Sequence, residues 1–125
     1  DWIRVGERTN IQDGTVIHVD SITYGTFTGD DVTIGHGAIV HACTLEDGCF
    51  IGMGATIMDG AVVESRAMVA ACALVPPGKR VKSGELWAGV PARPVRPLAK
   101  EDLDHMAQVP PIYAKLAKEY LEAGI

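Results

Sequence analysis

The chain has 125 residues, a length that suits one domain, and it is 47% apolar but only 6% aromatic, so its core must be aliphatic. A formal net charge of −5 and the lack of any Lys/Arg run argue against a nucleic-acid partner. No apolar stretch approaches the roughly 18–20 residues that span a bilayer.

Taken in order, the chain opens in mid-pattern. Ile3-Arg4-Val5-Gly6 is already one unit of a repeat, and no secretory signal precedes it, so the chain reads as a fragment or processed form of something longer. Val5, Ile11 and Ile17 recur at every sixth position. From Ile17 to Ile39 is 22 residues, three hexapeptides plus four, and the excess is expected as a loop extruded from Asp20–Asp31, beside His18. The ladder then runs Ile39, Leu45, Ile51, Ile57, Val63, Val69, Val75. Three copies of aliphatic-x-Asp-Gly, at Ile11–Gly14, Leu45–Gly48 and Ile57–Gly60, supply turn chemistry, because Asp bonds its own backbone and Gly accepts positive φ. A sustained period of six fits neither a helix nor a flat strand. It predicts an all-β solenoid, a parallel β-helix whose coils bury their aliphatic residues against one another.

Pro76-Pro77-Gly78 is expected to close the ladder, giving a β-helix over 1–78 and a Pro/Gly-rich connecting tail over 79–98. A C-terminal helical segment over 99–125 is expected to pack on the solenoid. It reads as two helices, 99–108 and 112–123, parted at Pro110-Pro111. The second carries an apolar face of Ile112, Tyr113, Leu116, Ala117, Tyr120 and Leu121.

Cys43, Cys49 and Cys72 form no C-x-x-C pair and read as small buried hydrophobes in a reducing, cytoplasmic compartment. Cys43 lies two residues from His41 and is a rival metal ligand of low rank.

His18, His36 and His41 all fall where the ladder turns corners. Three neutral imidazoles are what an open catalytic Zn²⁺ site needs. His18 and His41 lie one coil apart on nearly the same corner, and stacked strands are about 4.8 Å apart, so these two can share an ion. His36 belongs to the preceding corner, and a six-residue side spans on the order of 15–20 Å. Zinc demands nitrogens roughly 3.5 Å apart. One chain cannot close that gap, so the third ligand must come from another copy. A closed ring of triangular prisms suggests a homotrimer.

The strings Asn10-Ile11-Gln12-Asp13-Gly14-Thr15-Val16-Ile17-His18 and Ile34-Gly35-His36-Gly37-Ala38-Ile39-Val40-His41-Ala42-Cys43 closely resemble the γ-class carbonic anhydrase family. Ile51-Gly52-Met53-Gly54-Ala55 and Gly89-Val90-Pro91-Ala92-Arg93 match it too. The resemblance covers almost the whole chain. It implies a left-handed β-helix, a homotrimer and interfacial metal sites, with His18 and His41 from one subunit and His36 from its neighbour. The chain departs from the family in lacking an upstream Arg-Gly-Asp stretch and in having no Glu in residues 19–35.

The reaction so implied is reversible hydration of CO2 to bicarbonate, with water on the metal brought to a pKa near 7. Gln12 is expected to hydrogen-bond the hydroxide or bicarbonate, Asn10 to assist from the same strand, and Asp13 to hold a supporting or interface position. Fe2+ or Co2+ suits the same ligands as Zn2+. The alternatives are a hexapeptide-repeat acyltransferase with one histidine base, or a non-catalytic structural or binding subunit that keeps the ligands.

Overall fold

A computed structural model describes residues 1–124. The chain winds as a left-handed parallel β-helix with three faces. The first face stacks Ile3–Val5, Thr26–Thr28, Thr44–Leu45, Val62–Val63 and Arg80–Val81. The second stacks Asn10–Ile11, Thr33–Ile34, Phe50–Ile51, Met68–Val69 and Glu85–Ala88, with Arg93–Pro97 added antiparallel at its end. The third stacks Val16–His18, Ile39–His41, Thr56–Ile57 and Leu74–Val75.

Alternation along each short strand explains the composition. An aliphatic residue and the small residue two places before it both point inward, as in Ala55-Thr56-Ile57 and Ala67-Met68-Val69, where both inward side chains are fully buried. Cys43 and Cys49 occupy this small inward slot ahead of Leu45 and Ile51, which is why they are buried. Cys72 does not: it sits exposed in a left-handed corner at φ 61°, contrary to the reading of all three as buried. Ile51 is completely buried between Ile34 and Val69. Ile51→Ala is expected to cost about 2–5 kcal/mol, read by chemical denaturation, because rigid coils above and below cannot collapse into the void.

The ladder differs from the expected one at a single rung. Ile39 points outward and is 41% exposed, while Val40 is fully buried and pairs with Ile17 and Ile57. Two adjacent aliphatics make the rung ambiguous, and counting back by six from Leu45 lands on the wrong one. From Val40 to Leu45 is only five residues, so the corner at His41–Cys43 is one residue short. The extruded loop is correspondingly larger in excess but shorter in extent. From Ile17 to Val40 is 23 residues, three hexapeptides plus five, and the loop is residues 19–25; Thr26–Thr28 has already rejoined the first face, so the segment does not stay extruded to Asp31.

The C-terminal boundaries also move. The solenoid continues past Gly78, because Val81 pairs with Val63 and Trp87 with Val69. Pro76-Pro77-Gly78 is one more corner, with Gly78 at φ 72°. A single helix, Lys100–Glu122, replaces the expected two and carries Pro110 and Pro111 inside it. Two prolines remove backbone donors, at a cost of about 3 kcal/mol each in an isolated helix interior. Docking offsets this: Met106 and Pro110 are buried, and the helix lies against Asn10–Ile11 and Thr33–Ile34. Its second half packs on this chain only through the partly buried Tyr113 and Ala114, while Ile112 is 62% exposed and Leu121 78%. Among the described residues no helix is long and apolar enough to cross a membrane.

Candidate metal centre

The third face brings two histidines together. His18 and His41 end neighbouring strands and are direct register partners. Their rings stack with centroids 5.0 Å apart, and His18 Nδ1 lies 3.0 Å from His41 Nε2. Asp59, one coil below, takes the other nitrogen of His41: Nδ1 bonds Asp59 Oδ1. An ionised carboxylate only accepts, so Nδ1 carries a proton, and in the neutral imidazole Nε2 then presents its lone pair toward His18. The short corner is what makes this contact. His41 alone occupies the turn that Met58 and Asp59 share in the coil below, so the Asp59 side chain has His41 above it.

His36 stands at the other end of the same face, on the corner between the second and third faces, and is exposed. Asp13 stacks above it, Gly37 N–H bonding Asp13 O at 2.9 Å. Gln12 belongs to this corner as well. Its amide donates to Asn10 Oδ1 at 3.0 Å, and the buried Asn10 amide donates to Thr33 Oγ1 at 3.1 Å and Val32 O at 3.3 Å. So the expected site residues divide into two half-sites, His18 and His41 on one corner and His36, Gln12, Asn10 and Asp13 at the other. Among the described residues no three His, Cys, Asp or Glu side chains converge on one point.

The donor set nevertheless fits a metal ion. Tetrahedral zinc with bonds of about 2.0–2.1 Å needs its nitrogens about 3.3 Å apart. The facing nitrogens of His18 and His41 are within a few tenths of that, and the ring of His41 is already oriented by a carboxylate. Cys43 is no rival ligand. It points inward, and burial pushes its thiol up to about 12, which keeps it protonated.

No family model matches the chain. It is 47% identical over 121 residues to Gamma carbonic anhydrase 2, mitochondrial, of Arabidopsis thaliana, spanning 93% of this chain and 44% of that protein. It is 39% identical over 129 residues to Protein YrdA of Escherichia coli, spanning 98% of this chain and 70% of that one. A solved structure of a hexapeptide transferase family protein from Anaplasma phagocytophilum matches with a TM-score of 0.89 and 47% identity, over 94% of this chain and 69% of that one. The chain belongs to the γ-class carbonic anhydrase family. It spans less than half the length of the plant relative.

In this γ-class chain the residue that sequence reasoning missed is Asp59, read only as a turn residue of an aliphatic-x-Asp-Gly unit. A signal was present. Asp59 follows His41 by 18 residues, one full coil of three hexapeptides, which stacks it under the histidine. The carboxylates around the loop are also sorted by the fold. Asp31 pairs with Arg8 at 2.8 Å and Asp30 accepts the Glu7 N–H at 2.7 Å, both on the corner between the first and second faces. Only Asp20 remains near His18, and its Oδ1 accepts the Ile22 N–H at 3.1 Å.

Proposed function

We propose that this chain is a metal-dependent γ-type carbonic anhydrase, assembled as a homotrimer in which His18 and His41 of one subunit and His36 of the next hold one ion. The observation that carries the reading is the His18–His41 pair, held in register at 3.0 Å with Asp59 orienting His41, while the third histidine lies at the far corner of the same face. That face also favours a neighbouring copy. Between the two corners it presents Val16 at 53% and Ile39 at 41% exposure, with Met53 beside His36 at 58%. Covering these apolar side chains brings the His36 corner of one copy to the His18–His41 corner of another.

A bound Zn2+, or Fe2+ or Co2+ in the same ligands, supplies the Lewis acidity that activates water for addition to CO2. The protein's own residues do the positioning. Asp59 keeps the proton on His41 Nδ1, so that Nε2 is the ligating atom. Gln12, anchored to Asn10, keeps one amide N–H to donate to a bicarbonate oxygen and its carbonyl to accept from the bicarbonate hydroxyl, and it enters the shared site with the His36 subunit. Asp13 supports that corner.

The test joins metal analysis of the isolated trimer to a stopped-flow CO2 hydration assay. One ion per chain with buffer-assisted hydration supports the proposal. A metal-free trimer that transfers acetyl from acetyl-coenzyme A would support instead the transferase reading that the description of the Anaplasma relative suggests. Metal without hydration would mark a non-catalytic member. Hydration must also export a proton, and residues 19–35 contain no Glu. Turnover is therefore expected to be weak in dilute buffer and to rise several-fold with small imidazole buffers. Fast turnover independent of buffer would reveal an internal relay.

A further inference from the structure

The loop that leaves His18 is pinned by an aromatic ring. Asp20 N–H donates to Tyr24 O at 3.0 Å, closing residues 19–25 on themselves, and Ile22 at the tip is 89% exposed. Tyr24 turns back onto the solenoid. A methyl group built at Gly60 would lie 3.2 Å from Tyr24 Cζ and 3.4 Å from its Cε2 and Oη, so the ring rests on bare backbone there. Gly60 has φ 72°, a conformation that favours glycine, and it directly follows Asp59, the partner of His41. Ala42 is the intervening rung. It is fully buried, its carbonyl accepts Gly60 N–H at 2.8 Å, and its own N–H bonds His18 O at 3.0 Å. The ring thus spans from the segment after His18 to the residue after Asp59.

We propose that Tyr24 is a positioning residue for the metal site: its ring, seated on Gly60, clamps the loop following His18 to the corner that carries Asp59 and so holds His18 and His41 in register. The functional consequence rests on the metal reading above, but the clamp itself does not. A rigid two-torsion side chain is suited to the task, since it loses little conformational freedom when it docks. Preorganised ligands bind an ion more tightly than ligands that must be ordered first. Among the described residues Tyr24 Oη makes no hydrogen bond, so the contact is one of packing.

The test compares Tyr24→Ala, Tyr24→Phe and, as a control in the same loop, Ile22→Ala. Amide hydrogen exchange of residues 19–25 and 42 reads the clamp. Zn2+ affinity, by competition with a chromophoric chelator, reads the site. Tyr24→Ala should exchange at least about tenfold faster in the loop and bind Zn2+ about tenfold more weakly, while Tyr24→Phe and Ile22→Ala keep both wild-type values. Unchanged loop exchange in Tyr24→Ala overturns the clamp, and faster exchange with wild-type Zn2+ affinity overturns the positioning role. Should the wild-type chain bind no Zn2+, the proposed function fails, and the exchange comparison still supports or overturns the clamp.

Discussion

Mixing His36→Ala chains with His41→Ala chains is expected to restore metal binding that neither variant should show alone. Each homotrimer lacks one ligand at every interface and should bind no stoichiometric metal. In a mixed trimer, one interface pairs an intact His36 with an intact His18–His41 corner, one lacks both, and one lacks His36 or His41 alone. With equal mixing about three quarters of the trimers are mixed, so about a quarter of all sites should recover. The expectation follows from the separation of the two half-sites: the chain brings no three metal-ligating side chains together among its described residues. The measurement is metal content after subunit exchange, with mixing verified by native mass spectrometry. Metal held at full affinity by a monomer, or no recovery in verified mixed trimers, would sink the shared-site model.

Replacing Asp59 gives the second large effect. Asp59→Ala should weaken metal affinity about 10- to 100-fold, equivalent to about 1.4–2.7 kcal/mol, since the partner of a ligating histidine fixes both its tautomer and its orientation. Asp59→Asn should be intermediate, because the amide oxygen still accepts from His41 Nδ1 without the negative charge. The Asp59 and His41 side chains are each about one-third exposed, so the loss should appear in metal binding more than in folding stability. Asp47→Ala is the control. Asp47 occupies the same aliphatic-x-Asp-Gly unit but accepts the Asp30 N–H at 2.8 Å on a different corner, so its loss should alter stability and leave metal affinity unchanged. Equal effects of the two substitutions on metal affinity would show that Asp59 is only a turn residue.

The hexapeptide period was legible because it is a local property. An inward aliphatic must return at each face of a prism, and a small residue two places earlier must share the interior, whatever the rest of the chain does. The separation of His36 from the other two histidines was legible for the same reason, since corners can be counted along the chain. Asp59 was obscured because its unit is also ordinary turn chemistry. The helix was divided at Pro110-Pro111 because local preference disfavours helix there, and burial of Met106 and Pro110 against the second face is invisible to local preference.

Sequence alone thus determined the repeat, the number of faces and the separation of His36 from the other two histidines. Tertiary structure decided how the corners align. An insertion of five after His18 and a deletion of one at His41–Cys43 sum to the excess of four counted along the chain, so counting cannot separate them. Stacking can, because each coil must place its inward side chain over the one below, and the corners absorb the difference. That absorption makes Val40 rather than Ile39 the inward residue, puts His41 over Asp59, and lays Tyr24 on Gly60.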